Sequence, residues 1–468
     1  MKKLRYITIP ILIALIFAGC QKDIGFPDET TNTEITNTDT SAEEMTFPTD
    51  KVLHWAVPDM YNISTENLVS LNQALVDKGY DFSIDFVPLT FENYAAELQS
   101  AENIDIASAG LDTEEFSSVE FIRSGYFRSL DNLLTDKSEL FDRYSVKQWK
   151  TVSVDNKIYT VPNTCAKDRG VSFVFNNEYF SKEEIENFDM KFSSLRDMLG
   201  DPTQKDGFSD FVYLIDEFMF SLLDDSLCVK GFAFSESSGS VDTIFSDESS
   251  VEFFRTLNEF YKKGYINYNL SLYMNGIESC KKLLDSGSFK VYVTSGGISE
   301  IEEIDNIRDS VTVKTTQPVI HSRVSGGMGI AADSKYADEA FTLLTLVYTD
   351  PDILKYLVLD NSEDTESARY INEMIIGSDH FSGGTEGMKE FYDNDVKESL
   401  FLGFNANFSK SKDKAAEVYK ICYENLDIWK SENFEDELDR VKKLLAEAGA
   451  EELASEINSQ FESYKKAE

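Results

Sequence analysis

Histidines and closely spaced cysteines are scarce in this sequence of 468 residues. The three histidines, His54, His321 and His380, do not form an H-E-x-x-H motif, so the sequence offers no histidine-based zinc site. The cysteines include no C-x-x-C pair, and a chain of this length does not need disulfides for stability. We expect buried free thiols, with disulfides as the open alternative, at Cys165, Cys228, Cys280 and Cys422.

Positive charge is also in short supply. The chain has 44 Lys and Arg against 84 Asp and Glu, which gives a formal net charge of −40. Such an excess of negative charge repels nucleic acid and anionic lipid headgroups, and no basic patch offsets it. We interpret the charge as a means of solubility, with recruitment of a cationic ligand as the alternative.

Catalytic motifs are missing. The glycines of Gly327-Met328-Gly329-Ile330-Ala331-Ala332 precede a predicted strand, whereas a dinucleotide site needs them between a strand and a helix. A calcium loop that starts at Asp360 needs Gly at its sixth and Glu at its twelfth position, but this chain has Thr365 and Ile371 there. No G-x-S-x-G occurs, and among 84 carboxylates no glycosidase pair stands out. We therefore expect no enzymatic activity, no cofactor and no bound metal.

The N-terminus carries an export signal. Lys2, Lys3 and Arg5 precede an apolar core at 7–17, which ends in small residues before Cys20. This pattern is typical of a lipoprotein signal peptide over 1–19, with a palmitate-bearing anchor on Cys20; an ordinary signal peptide with a chance cysteine is the alternative. Residues 20–50 are rich in Thr, Asn and acids, and we expect a disordered tether.

The rest of the chain alternates between strand and helix patterns. Leu68, Leu71 and Leu75 share a helical face over 67–78, between apolar strand patterns at 52–57 and 82–86. A further helix and a short strand follow, so the order β-α-β-α-β predicts a mainly parallel sheet covered by helices. Later predicted strands lie at 157–161, 171–175, 289–294, 311–314 and 329–332. From 433 onward the apolar spacing predicts helices that pack onto a domain.

Several segments, in this order, resemble the family 1 sugar-binding lipoproteins among the extracellular solute-binding proteins of ABC importers. They follow the Cys20 lipobox and read "NIDIASAG" (103–110), "GYFRSLDNLL" (125–134), "KIYTVPNTCAKDRGVSFVFNNEYF" (157–180) and "GGMGIAADSKYADEAFTLLTLVYTDP" (326–351). Residues 401–426 and 444–464 are similar to the C-terminal domain of a Firmicutes subgroup. That subgroup reads Gly-Phe-x-Phe-Asp where this chain has Gly403-Phe404-Asn405-Ala406-Asn407.

The resemblance implies an α/β fold of the periplasmic-binding-protein type, with two lobes that each contain a mainly parallel sheet flanked by helices, and a helical C-terminus. Lobe 1 would comprise 51–168 and 326–352, and lobe 2 would comprise 169–325 and 353–468. A solute, a sugar or oligosaccharide by this resemblance, would be captured by hinge closure at the outer face of the cell membrane and passed to ABC permease subunits. The alternatives are a peptide or other non-sugar solute, and a surface enzyme or adhesin that retains the fold.

The resemblance also points to four loops at strand ends, where open α/β sheets bind their ligands. Trp55 would offer an apolar face to a sugar, and Asp112 would accept hydrogen bonds from hydroxyls. The alternative is that Trp55 belongs to the core or rim and that Asp112 is a solvated loop acid. The expected ligand-binding residues are Trp55, Gly110, Asp112, Lys167, Asp168, Arg169, Ser295 and Gly297.

Overall fold

The computed structural model divides the chain into Met1–Thr46 and a body, Phe47–Glu468. The structure describes residues 50–61, 63–109, 118–135, 138–162, 170–203, 208–213, 224–266, 282, 286–294, 310–322, 327–358 and 388–467. The predicted signal peptide, Cys20 and the predicted tether up to residue 49 therefore lie outside the described residues. Among the helices described in the body, none has the length and apolar character needed to cross a membrane.

The described strands are β1 (Val52–Pro58), β2 (Ser83–Leu89), β3 (Ile106–Ser108), β4 (Ser153–Val154), β5 (Lys157–Ile158), β6 (Ser172–Asn176), β7 (Ser209–Tyr213), β8 (Ser226–Val229), β9 (Phe232–Ser235), β10 (Val241–Thr243), β11 (Phe289–Thr294), β12 (Val311–Thr315), β13 (Val319–Ile320), β14 (Met328–Ile330) and β15 (Lys397–Glu398).

The described α-helices are α1 (Thr65–Asp77), α2 (Tyr94–Ser100), α3 (Ser118–Arg123), α4 (Glu139–Arg143), α5 (Val146–Thr151), α6 (Lys182–Asn187), α7 (Leu195–Met198), α8 (Glu248–Lys263), α9 (Ala337–Thr349), α10 (Pro351–Leu354), α11 (Met388–Asn394), α12 (Lys412–Glu424), α13 (Phe434–Glu447) and α14 (Ala450–Ala467).

The first sheet has the strand order β14-β3-β1-β2, and β1 runs parallel to both β2 and β3. Helix α1 connects β1 to β2. It begins after Ser64, whose side chain accepts a hydrogen bond from the Asn67 N–H, and its Leu71 and Leu75 are fully buried. The predicted β-α-β-α-β order is present here, because the alternating apolar residues of two strands and the helical stripe between them bury one common core.

The second sheet has the order β12-β6-β11-β7 and is mixed. Strand β11 is parallel to β7, while β6 is antiparallel to both β11 and β12. The expectation of a mainly parallel sheet thus describes the first sheet better than the second. Buried aromatic rings, including Phe173, Phe175 and Phe211, form its core.

A small antiparallel sheet, β10-β9-β8, extends this second core. Strands β8 and β9 are joined by a two-residue turn, in which Lys230 and Gly231 both have positive φ. The C-terminal helices pack onto the same core through apolar stripes, represented by Leu438, Ile457 and Phe461. The predicted helical C-terminus is therefore confirmed, and it is a packed part of the body.

Candidate functional site

The carboxyl ends of the parallel strands in the first sheet define one edge. Strands β1, β2 and β3 end there at Pro58, Leu89 and Ser108. Strand β14 runs antiparallel to β3 with Met328 opposite Ser108, so the chain comes back from the second sheet at this edge. Open α/β sheets bind ligands beyond such strand ends, which makes this edge one half of the candidate site.

A tyrosine side chain joins the two central strands at this edge. Strands β1 and β3 pair at Trp55 and Ile106. Further along these strands, the Tyr94 hydroxyl donates to the Ala56 carbonyl at 3.2 Å and accepts from the Ser108 N–H at 3.1 Å. Tyr94 is buried, and this burial raises the pKa of its hydroxyl far above the usual value. The hydroxyl therefore stays neutral and can donate and accept at once, and it fixes the end of β3.

Two glycines at the same edge allow backbones to approach closely. A Cβ on Gly327 would lie 2.6 Å from the Thr160 Oγ1, and one on Gly329 would lie 2.7 Å from the Phe127 ring. The Gly327 carbonyl accepts from the Ala109 N–H at 2.9 Å. Close packing of neighbouring chain segments thus accounts for the G-x-G pattern.

The second sheet has a matching edge. Its parallel strands β7 and β11 end at Tyr213 and Thr294, and Ser172, the first residue of β6, lies opposite Thr294. Ser172 also pairs with Thr315, the last residue of β12, and their hydroxyl oxygens are 2.9 Å apart. One connection between the two sheets enters β6 at Ser172, and the other leaves β12 at Thr315. Both therefore meet the second sheet at the edge where its parallel strands end.

The predicted loop residues attach to these two edges. Gly110 and Asp112 follow β3, Lys167, Asp168 and Arg169 lie in the connection before β6, and Ser295 and Gly297 follow β11. All seven lie outside the described residues, so their part in binding stays a prediction. Their points of attachment at Ala109, Gly170 and Thr294 are described and lie at the edges defined above.

Trp55 lies in the middle of β1, because the pairing of β1 with β2 continues as far as Pro58 and Leu89. The position assigned to it from sequence, at the end of the strand, is therefore corrected. Its indole is fully buried, packs against Phe86 with ring centroids 5.6 Å apart, and leaves Nε1 without a hydrogen-bond partner in the described structure. Trp55 contributes to the core, and its contact with a ligand stays a prediction.

A polar groove with a volume of about 830 Å³ lies elsewhere on the body. It runs between Arg123, Asp155, the 403–410 segment and one face of α14. Arg123 is paired with Asp155 at 2.8 Å and also donates to the backbone carbonyls of Asn405 and Ala406. Because these groups already satisfy one another, we regard the groove as a structural joint. Sequence reasoning missed it, since Arg123 has no feature that distinguishes it from other surface charges.

The described part of the body contains no cluster of three or more His, Cys, Asp or Glu side chains arranged to hold a metal ion. Cys228 and Cys422 are free thiols there, and Cys165 and Cys280 lie outside the described residues. Burial raises the pKa of the Cys422 thiol to about 12, so it stays protonated and unreactive.

Solved structures with the same architecture bind solutes. The N-glycan transport solute binding protein NgtS from Streptococcus pneumoniae is 17% identical with a TM-score of 0.61, and the match covers 89% of this chain and 99% of that one. The chain has the two-lobed solute-binding-protein fold. An HMO-binding, ABC-transporter-associated solute binding protein from Bifidobacterium longum infantis is 14% identical with a TM-score of 0.59, over 88% and 99% of the two chains.

A third solute-binding-protein structure, the S. pneumoniae ABC-transporter substrate binding protein FusA in complex with kestose, is 13% identical with a TM-score of 0.51, over 89% and 100% of the chains. No protein family model and no curated protein matches the sequence. At these identities the likeness establishes the solute-binding-protein fold, and the predicted α/β fold class is confirmed. The proposed lobe boundaries and the Firmicutes subgroup stay predictions.

Proposed function

We propose that this chain is the substrate-binding lipoprotein of an ABC importer and captures a sugar or oligosaccharide outside the cell. The observation that carries the proposal is the shared fold, which extends over nearly nine-tenths of the chain with neighbours whose names state an N-glycan, HMO or kestose ligand. A match of this length supports the same arrangement of sheets, with ligands bound at the strand ends as in other open α/β sheets.

The proposed site lies between lobe 1 (51–168 and 326–352) and lobe 2 (169–325 and 353–468). The strand-end loops would line it through Gly110, Asp112, Lys167, Asp168, Arg169, Ser295 and Gly297. Carboxylate, guanidinium and backbone groups match the hydroxyl belt of a sugar, because each can form directed and partly charge-assisted hydrogen bonds. The two sheets have separate hydrophobic cores. This supports hinge closure, because hinge motions move whole packed units.

The anchoring and the partners belong to the same proposal. The lipobox ending in Cys20 supports a lipid anchor on the outer face of the membrane, with residues 20–50 as the tether. Delivery of the solute would then require the permease subunits of the importer. The C-terminal segments at 401–426 and 444–464 support membership of the Firmicutes subgroup, with the departure at Ala406 and Asn407 noted above.

A thermal-shift screen of the mature chain, started after Cys20, tests the ligand class. Oligosaccharides, monosaccharides, amino acids and short peptides are compared at equal concentration. A ligand at 100 times its Kd should add about 2.7 kcal/mol of stability, so a sugar ligand will raise the Tm clearly. A shift with peptides alone would favour the non-sugar alternative, and turnover of the added compound would favour the enzyme alternative.

A second experiment tests the proposed residues. Asp112→Ala should weaken binding of the best oligosaccharide at least about tenfold, since the loss of one charge-assisted bond exceeds 1.4 kcal/mol. Asp439→Ala is the matched control, because that exposed carboxylate lies on the C-terminal helix α13 and outside the predicted loops. Equal affinities of Asp112→Ala and the unchanged chain would remove Asp112 from the site.

A further inference from the structure

The connection from the second sheet back to the first carries a histidine whose side chain is 25% exposed but whose Nδ1 is buried. This return crossover, residues 316–327, links β12 to β14 and includes His321 directly after β13. The His321 Nδ1 is buried without a hydrogen-bond partner in the described residues and lies 3.9 Å from the Glu236 Oε1. A buried polar atom without a partner is costly, so this position calls for an explanation.

Glu236 holds a neighbouring segment with both oxygens of its carboxylate. We call residues 397–406 the bridge segment. Glu236 accepts hydrogen bonds from the Ser399 hydroxyl and, at 3.0 Å, from the Leu400 N–H. The bridge segment is also tied to the return crossover, because the Ser399 N–H donates to the Ile320 carbonyl at 3.1 Å. One carboxylate therefore serves the bridge segment and faces His321.

The bridge segment is held by a helix beside the first sheet and by a turn of the small antiparallel sheet. Arg123, on α3 beside the first sheet, donates to the carbonyl of Asn405 at 2.8 Å. The Asn405 side chain in turn donates to the Ser153 carbonyl at 2.8 Å. Glu236, in the turn between β9 and β10 of the small antiparallel sheet, holds the other end. A change at Glu236 would therefore affect a joint shared by both halves of the body.

Few charges face the imidazole. Among the described residues, Glu236 is the charged group that acts on His321. Lys397 and Glu398 of β15 pair through their backbones with β13, which directly precedes His321. Both side chains are exposed, and the Glu398 carboxylate lies 3.8 Å from the Lys150 Nζ. Burial lowers the pKa of His321 below its usual range, and the charge of Glu236 opposes this shift only in part.

We propose that His321 is an acid sensor for this joint, and that its protonation loosens the contact between the return crossover and the bridge segment. Protonation either leaves a new N–H without a partner at the buried Nδ1 or draws the Glu236 carboxylate away from Ser399 and Leu400. In the intact joint the pKa of His321 is lowered, and in the opened joint it returns to its ordinary value. At a pH between these two values, the intact joint therefore binds fewer protons than the opened joint. Its stability is therefore full above about pH 6.5 and falls as the pH drops through that window. This property is independent of the ligand.

Hydrogen exchange on the complete mature chain without ligand tests the proposal. Protection of the Leu400 amide, corrected for intrinsic exchange, is compared at about pH 7.5 and about pH 5.5. Because pH 5.5 lies about one unit below the ordinary pKa of histidine, titration of His321 can lower the protection factor by up to about tenfold. We expect protection to fall about threefold or more in the unchanged chain and to stay constant in His321→Gln. Unchanged protection in the parent chain, or an equal fall in His321→Gln, would overturn the proposal.

His54→Gln is the matched control, since its Nδ1 lies 3.8 Å from the Asp105 Oδ2 but its side chain is more exposed. This variant should behave like the parent chain. An NMR titration adds a direct readout: the pKa of His321 should lie below 6.5 and fall further in Glu236→Gln, because the opposing charge is removed. A pKa of His321 at or above 6.5 in the parent chain would contradict the sensor.

Discussion

The Tyr94 hydroxyl accepts a 3.1 Å hydrogen bond from the Ser108 N–H at the end of β3. The loop that carries Gly110 and Asp112 begins two residues later. The proposed binding loop is thus attached to a strand end that a buried side chain holds in position, and such support keeps a binding group within the narrow geometry that recognition requires.

Tyr94→Phe should lower the free energy of unfolding by about 1–3 kcal/mol, because it leaves the buried Ser108 N–H and Ala56 carbonyl without their partner. Urea denaturation followed by circular dichroism measures the change. Tyr423→Phe is the control, because Tyr423 is 52% exposed and should tolerate the loss of its hydroxyl. Equal stability of Tyr94→Phe and the parent chain would show that the hydroxyl is dispensable.

Trp55→Ala should destabilise the chain by about 3–5 kcal/mol, since the indole is fully buried and its removal leaves a cavity. The sequence left two positions open for Trp55, a cleft loop, where its loss would affect binding, and the core or rim. Thermal unfolding measures the effect of Trp55→Ala on stability. Titration calorimetry at a temperature where the variant is folded measures its effect on ligand binding separately. Val146→Ala, at a side chain 61% exposed, should leave stability unchanged. A Tm equal to that of the parent would contradict the core position of Trp55.

Lys290→Met should cost about 3–5 kcal/mol by leaving the buried Asp210 carboxylate without its cation. Lys290 Nζ lies 3.1 Å from the Asp210 Oδ2 and also donates to the carbonyls of Leu199 and Asp201. Burial raises the pKa of Asp210, so the loss in Lys290→Met should become smaller as acid protonates the carboxylate.

The double variant Lys290→Met with Asp210→Asn should recover part of that stability, because no uncompensated charge is then buried. Lys414→Met is the control at an exposed ion pair with Glu452 and should change stability little. Urea denaturation of Lys290→Met, Asp210→Asn, the double variant and Lys414→Met at neutral and at acidic pH decides the matter. Additive losses in the double variant would show that the two side chains do not act as a pair.

Cys20→Ser should abolish lipidation and release the protein from the membrane, because the thiol of the lipobox cysteine is the attachment point in the proposed anchor. Detergent phase partitioning of cells that express the parent and the variant measures this directly. Cys165→Ser is the control for loss of a thiol elsewhere in the chain. If Cys20→Ser partitions with the membrane as the parent does, the anchor is of another kind.

Hydrophobic periodicity was sufficient to predict the elements that bury one clear face. Helix α1 and the C-terminal helices have regular apolar stripes, and β1 and β2 alternate or run apolar, so their cores follow from spacing alone. Strand direction does not alter spacing. The antiparallel position of β6 between β11 and β12 was therefore beyond prediction, and the short strands of the β8–β10 sheet gave no usable pattern.

The predicted strands locate the loops of the candidate site, which attach at Ala109, Gly170 and Thr294, while the part of the loop residues in binding stays a prediction. The burial of Trp55 depends on how far β1 and β2 stay paired, and no single strand encodes that length. Arg123 and Glu236 were missed because a chain with 84 carboxylates offers no local sign of which charges hold distant segments together.

The most direct test of the proposed function is a crystal structure of the mature chain with the oligosaccharide that gives the largest thermal shift. The account predicts sugar density between the two sheets, beyond the ends of β3 and β11, in contact with residues 110–112, 167–169 and 295–297. Density in the Arg123 groove alone, beside Asp155 and Tyr464, would contradict the account by placing recognition away from the strand ends.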